Sequence, residues 1–234
     1  MCGRYRLSRR KESLAEHFDT NFDDLDWEPR YNIAPTQSVP VIRHDEQGTT
    51  LRASLMRWGL IPSWAADPSI AAGTINARSE TAASKPSFRE PLQTRRCLIP
   101  ADGFYEWRHR AKEKQPFCFE VGEGNPFALA GLWDRWRGPD EKIVETCTIL
   151  TTTPNELLSD VHDRMPVILD TDTYDRWLDP GMHDAERAVG LLGRFDANLM
   201  RRYPVSTRVN LVANDDPECC APVDLPAAPT TLFD

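Results

Sequence analysis

Cys2 stands directly behind Met1, and that placement decides what it can do. A methionine followed by a small residue is commonly trimmed from a new chain. Trimming here leaves Cys2 with a free α-amine and a thiol on adjacent carbons, a pair of nucleophiles that no other cysteine of the chain can present. The plain alternative is that position 2 only tolerates a small side chain. Three downstream segments add chemistry. Asn76-Ala77-Arg78-Ser79-Glu80-Thr81 is a polar cluster without amphipathic pattern. If extended, it turns Asn76 and Arg78 to one face, where one orients a substrate oxygen and the other holds a phosphate; otherwise it is a capped turn. In Asp102-Gly103-Phe104-Tyr105-Glu106-Trp107 a strand after an Asp-Gly turn sets Glu106 amid aromatics. Such surroundings raise a carboxyl pKa toward neutrality and let it pass a proton, unless a partner arginine holds it ionised. His162-Asp163-Arg164-Met165-Pro166 offers a histidine beside an acid, a base and a rigid proline, and reads equally as catalytic or structural.

The elements that must position these groups are mostly short strands broken by Pro and Gly. Strands are expected at Val39–Ile42, Thr50–Trp58, Arg96–Ile99, Phe104–Trp107, Phe117–Val121, Phe127–Trp133 and Glu145–Thr151. Helices are expected over Ser8–Phe18, from Thr153-Pro154-Asn155-Glu156 up to His162, and around Thr173–Leu178 and Asp184–Leu192. Thr153, Pro154 and Glu156 together form a capping signature. Strands with helices at the start and in the last third give a single α+β domain over 1–214. The Pro-, Asp- and Ala-rich stretch 215–234 reads as a disordered tail.

The chain of 234 residues suits one large or two small globular domains. It lacks an apolar run long enough to span a membrane and a signal-peptide core, so an intracellular, soluble protein is expected. The six cysteines form no C-x-x-C pair, which argues for free thiols and against a zinc site. Cys97, Cys118 and Cys147 sit in apolar runs as small core residues, while Cys219-Cys220 has no assigned role. The net charge of −8 excludes indiscriminate nucleic-acid binding over the whole surface but leaves room for a local basic groove. Lysine occurs only at 11, 85, 112, 114 and 142, so arginine carries most of the positive charge, as a phosphate-reading site or a biased genome would dictate. Trp58 and Trp64 serve either as core or as platforms for unstacked bases. Metal-ligand spacing, a phosphate-binding glycine loop and a G-x-S-x-G elbow are all missing, and no cofactor is expected.

Taken together, the chain resembles the SRAP family, the SOS response-associated peptidases or abasic-site processing proteins. The resemblance rests on six segments in order: Met1–Tyr5, Tyr31-Asn32-Ile33-Ala34-Pro35, Trp58–Pro62, Asn76–Thr81, Ala101–Trp107, and Ile149-Leu150-Thr151 followed by His162–Pro166. It spans residues 1 to about 212. It implies a strand-rich, open barrel-like core with flanking helices and a positively charged groove, and a mature N-terminal cysteine that crosslinks to abasic sites in single-stranded DNA. By motif, Cys2 matches the nucleophile, and Asn76, Glu106 and His162 match the other active-site residues. Arg78 and Arg164 match arginines that hold the DNA backbone, with Arg4 close enough to join them. One departure is Ala65, where some members carry a second tryptophan, which removes a stacking wedge there.

The chemistry so implied is attack of the Cys2 amine on a ring-opened abasic aldehyde, followed by thiol closure to a thiazolidine. It includes autocatalytic loss of Met1 and a lyase side activity. A cysteine protease using Cys2, His162 and Asn76, or a non-catalytic DNA-binding module, remains open at this level. A cytoplasmic, nucleoid-associated monomer is expected. The terminal Thr230-Thr231-Leu232-Phe233-Asp234 is similar to short peptides that dock on sliding clamps, without their glutamine.

Overall fold

The computed structural model describes residues 2–45, 47–110 and 113–225. Each of the seven apolar runs expected to be strands lies in a strand, Thr50 alone falling just outside, because β-branched and aromatic residues pack well on a pleated surface. The strands are β1 Tyr5–Leu7, β2 Arg30–Ile33, β3 Ser38–His44, β4 Leu51–Trp58, β5 Asn76–Arg78, β6 Arg96–Ala101 and β7 Gly103–Arg110. They continue with β8 Glu113–Val121, β9 Phe127–Arg137, β10 Ile143–Thr152, β11 Met165–Pro166, β12 Ile168–Leu169 and β13 Met200–Pro204. Helices are α1 Lys11–Phe18, α2 Ser79–Ala82, α3 Pro86–Thr94, α4 Tyr174–Leu178 and α5 Ala185–Val189.

Two sheets make an α+β fold. One runs in the order β13-β8-β7-β1-β2. The second runs β11-β10-β4-β3-β6-β9-β12, with β5 alongside β10. In that second sheet β9 pairs with β6 and also with β10, so β10, β4, β3, β6 and β9 close into a ring. Closure removes the unpaired edges that an open sheet exposes. At the crossing of β9 with its neighbours Gly131 is required: a Cβ there would stand 2.8 Å from the Cys97 sulfur and 2.9 Å from Ile99. Leu7, Ile42, Met56, Ile99, Phe104, Leu132 and Ile149 belong to one buried core shared by both sheets. Cys97, Cys118 and Cys147 are wholly buried in it or beside it, and all six cysteines are free thiols.

Two expectations are corrected. Residues 153–162 form turns and not a helix. Leu158 and Ser159 donate to the Asn155 carbonyl, and Val161 and His162 to that of Leu158. The Leu157 carbonyl, which a helix would offer to Val161, accepts instead from Arg202 at 2.7 Å, and the buried Asn155 amide is tied to the Phe195 carbonyl. Residues 215–225 are ordered. Asp215 accepts from the Tyr31 and Asn32 backbone N–H groups and pairs with Arg30, Asp216 caps a short 3-10 turn at Pro217–Cys220, and Cys219 is buried. The proline and aspartates that suggested disorder are here capping and turn residues. Residues 226–234, with the terminal Leu-Phe pair, lie outside the described residues. Among the described residues no helix is long and apolar enough to cross a membrane.

Candidate active site

β1 enters the first sheet as an interior strand between β2 and β7. Its Tyr5 and Leu7 are wholly buried, and Arg6 between them is locked by an ion pair to Asp102 and another to Glu120. Asp102 also accepts from the Ser8 N–H and hydroxyl at 2.8 and 2.7 Å. The strand thus holds the start of the chain in fixed register, with Tyr105 N–H donating to the Arg4 carbonyl at 3.0 Å. Cys2, three residues before β1, is fully buried.

Each of the other three groups arrives from a different element. β5 pairs in parallel with β10, Asn76 opposite Ile149, and so brings Asn76 to the seam between the sheets. The Asn76 side-chain N–H donates to the Cys2 carbonyl at 2.9 Å. Its buried Oδ1 has no hydrogen-bond partner among the described residues. On β7 the alternation buries Phe104 and Glu106 toward one side and Tyr105 toward the other, and Glu106 is 2 % exposed. Burial, with the charge of Asp163 adding to it, pushes the Glu106 carboxyl up to about 7. Its Oε2 lies 4.0 Å from His162 Nε2.

His162 is delivered by the turns after β10. Its Nδ1 accepts the Arg164 backbone N–H at 3.0 Å and lies 2.9 Å from Asp163 Oδ1. An unprotonated Nδ1 satisfies the first contact and an Nδ1–H the second. Burial lowers the His162 pKa and so favours the neutral ring, and with Nδ1 accepting from Arg164 its proton sits on Nε2, facing Glu106. Burial and the Glu106 charge push the Cys2 thiol far above its ordinary value.

The arginines divide. Arg78 is exposed at the end of β5. Arg4 is half-buried, donating to Asn32 Oδ1 and the Val209 carbonyl at 2.7 Å each and to the Asn210 carbonyl at 3.3 Å. Arg164 does not face solvent: it is buried, bidentate to Glu80 at 2.9 Å on both arms, and donates to the Thr151 carbonyl at 2.6 Å. Its guanidinium fork braces β10 against α2, with Glu80 within its reach. Trp58 is core and donates to the Ile75 carbonyl, whereas Trp64 is 58 % exposed.

A groove of about 450 Å³ opens beside these groups, lined by Arg4, Glu106, Trp107, His109, Lys114, His162 and Asn210. Asn210 holds the Trp107 indole N–H at 2.7 Å. His109, Lys114 and Asn210 were not singled out from sequence. The first two stand in the basic run Arg108-His109-Arg110-Ala111-Lys112-Glu113-Lys114, which was the available signal. Asn210 ends the short 3-10 turn Thr207–Asn210 and has none. The arrangement places a buried carboxyl raised to about 7, a histidine held toward its neutral form and a carboxamide around the backbone of residue 2, at the head of an open groove that Arg4 and Lys114 line.

A profile of the family described as SOS response associated peptidase (SRAP) matches residues 1–212. The chain is 44% identical over 221 residues to the abasic site processing protein YoqW of Bacillus subtilis (strain 168), covering 93% of this chain and 98% of that protein. It is 37% identical over 229 residues to the abasic site processing protein HMCES of Gallus gallus, covering 85% of this chain and 68% of the relative. A crystal structure of a protein from Bacteroides thetaiotaomicron superposes with a TM-score of 0.86 at 28% identity, over 95% of this chain and all of that one.

Proposed function

The chain belongs to the SOS response associated peptidase (SRAP) family, and from that premise we propose that it processes abasic sites in single-stranded DNA by bonding covalently to them through Cys2. The observation that carries this reading is the convergence of Asn76, Glu106 and His162 on the residue behind the initiator methionine, with the Asn76 amide gripping the Cys2 carbonyl itself. A site built to use only a thiol would have no reason to fix the backbone of that residue.

Removal of Met1 frees the Cys2 amine, whose ordinary pKa of about 7.7–8.0 leaves it substantially neutral near physiological pH. The amine attacks the aldehyde carbon of the ring-opened sugar. Loss of water gives an imine. The thiol S–H then adds across the C=N bond, sulfur to carbon and proton to nitrogen, closing a five-membered thiazolidine. Glu106, poised near neutrality, relays protons among the amine, the carbinol and the imine nitrogen. Asn76 orients the amine through the carbonyl it holds and through its unpartnered oxygen. His162 donates its Nε2 proton to the sugar ring oxygen to promote opening, and acts at the 3′ phosphate when an imine stalls and lyase cleavage follows. The same groups serve autocatalytic loss of Met1. Arg4 and the exposed Arg78 face the strand; Arg164 braces the site. The protein acts where the DNA is, in the cytoplasm and on the nucleoid.

A cysteine protease acting on other proteins fits the site less well. Such an enzyme needs a thiolate stabilised by its base, whereas burial and Glu106 hold the Cys2 thiol protonated. Denaturing electrophoresis with single-stranded DNA carrying one abasic site separates the readings. A heat-resistant shifted band is expected from the wild type. It disappears in Cys2→Ala and when one alanine is inserted between Met1 and Cys2, which keeps the thiol but ties up the amine. A wild type without that band overturns the proposal.

A further inference from the structure

We propose that His109 and Lys114, a cross-strand pair near the tip of the β7–β8 hairpin, form a phosphate subsite that holds the DNA strand on one side of the abasic nucleotide. This rests on the reading of the chain as a single-stranded DNA protein. The protein carries a net charge of −8, so a strand can be held only by local positive charge facing the groove. Of the three arginines expected to supply it, Arg164 is ion-paired with Glu80, and Arg4 lines the groove and keeps its charge while giving its donors to Asn32 and two backbone carbonyls.

The hairpin fills that gap. His109 pairs directly with Lys114 across the two strands, so their Cβ atoms stand about 5 Å apart on one face. Trp107, two residues before His109 and therefore on the same face, lines the same groove. Its indole is fixed by Asn210, with the Arg4 guanidinium 5.8 Å from the ring centroid. His109 and Lys114 are both exposed, and neither has a hydrogen bond or ion pair to a described residue. His109 is close enough to His162 to lower its pKa, which ties the subsite to the reacting end of the groove. Lys114 brings the full charge and three rotatable donors, and His109 a ring N–H donor, which together match the non-bridging oxygens of one phosphodiester.

The test uses fluorescence anisotropy with a labelled single-stranded oligonucleotide bearing a tetrahydrofuran analogue, which binds like an abasic site but cannot open to an aldehyde. Affinity is titrated between 50 and 200 mM salt. Lys114→Ala is expected to weaken binding and to make the log–log salt slope shallower by about 0.7, the value of one contact to a single strand. Lys114→Arg restores the slope. Lys142→Ala, an equal charge change at the exposed β9–β10 turn, leaves it unchanged. His109→Ala added to Lys114→Ala weakens binding further without changing the slope at pH 8.

Oligonucleotides with flanking nucleotides only 5′ or only 3′ of the analogue locate the contact, and one of the two should lose the Lys114 effect. A Lys114→Ala slope equal to that of the wild type overturns the subsite. So does an equal loss in Lys142→Ala. Equal effects on both one-sided oligonucleotides overturn its placement. Because the analogue cannot crosslink, a wild type that forms no covalent band yet shows the Lys114 slope change retains the subsite while the covalent chemistry fails.

Discussion

Glu106 joins stability and chemistry in one side chain. Its folded pKa of about 7 stands above the ordinary 4.5 because burial penalises the carboxylate. The folded protein therefore binds this proton more tightly than the unfolded chain does. Below about pH 4.5 both states are protonated and nothing is lost. As the pH rises from there to about 7, the unfolded chain ionises first and the fold loses stability, by up to roughly 3 kcal/mol at pH 8. Glu106→Gln removes that loss. Its melting temperature is expected to exceed the wild type's at pH 8, with the gap closing toward pH 5, while its single-turnover crosslinking rate falls by about 10²–10⁴ as proton transfer is lost. Equal melting temperatures across that range would show that the carboxyl is not raised. Asn76→Ala acts differently, because it frees the Cys2 carbonyl and so misplaces the amine. A rate loss of about 10² is expected, with the pH profile unchanged in shape.

At the scale of elements, the segment 205–223 straps the site. The Asn32 amide donates to the carbonyls of Val209, Leu211 and Asn214, Asp215 accepts from the N–H groups of Tyr31 and Asn32, and Val223 N–H donates to the Pro204 carbonyl. Through Asn210 and the Arg4 contacts this strap forms a wall of the groove. Asp215→Ala leaves two N–H groups of β2 without acceptors and is expected to destabilise the protein by about 2–4 kcal/mol. Trypsin should then cut faster after Arg208; unchanged urea midpoint and cleavage rate would show the strap to be held elsewhere. None of this was legible in the sequence, where aspartates and prolines near the end signal disorder, and the partners that order the segment, Tyr31 and Asn32, lie far away in the chain. The seven longer strands were legible, because their Val, Ile, Phe, Trp and Cys runs exceed what a loop tolerates. The short β1, β2, β5 and β13 were not, since Arg6, Asn32, Asn76 and Arg201 break the apolar alternation for reasons that lie across the sheet. Cys2, Asn76, Glu106 and His162 were legible as polar segments in the order of a known family. The helix expected before His162 failed because Arg202 takes the carbonyl that would have propagated it.

For the molecule as a whole, the ring of β10, β4, β3, β6 and β9 makes the site a property of the barrel. β9 meets β6 at Cys97 and β10 at Ile149 through the same residue, Gly131, and Ile149 in turn pairs with Asn76 on β5. A methyl group at position 131 would collide with Cys97 and Ile99 and force β6 and β9 apart. Interiors packed this closely pass such a shift on to the next strand, so β10 moves and carries β5 with it. Gly131→Ala is expected to lower stability by about 1–3 kcal/mol. It should also slow crosslinking even under conditions where the variant is fully folded by circular dichroism, because the Asn76 amide no longer meets the Cys2 carbonyl at 2.9 Å. The second effect separates coupling from simple destabilisation: lowering the temperature or adding an osmolyte restores the folded fraction but not the rate. A folded Gly131→Ala protein that crosslinks at the wild-type rate would show that β5 is positioned by α2 and the Arg164–Glu80 brace, independently of the ring.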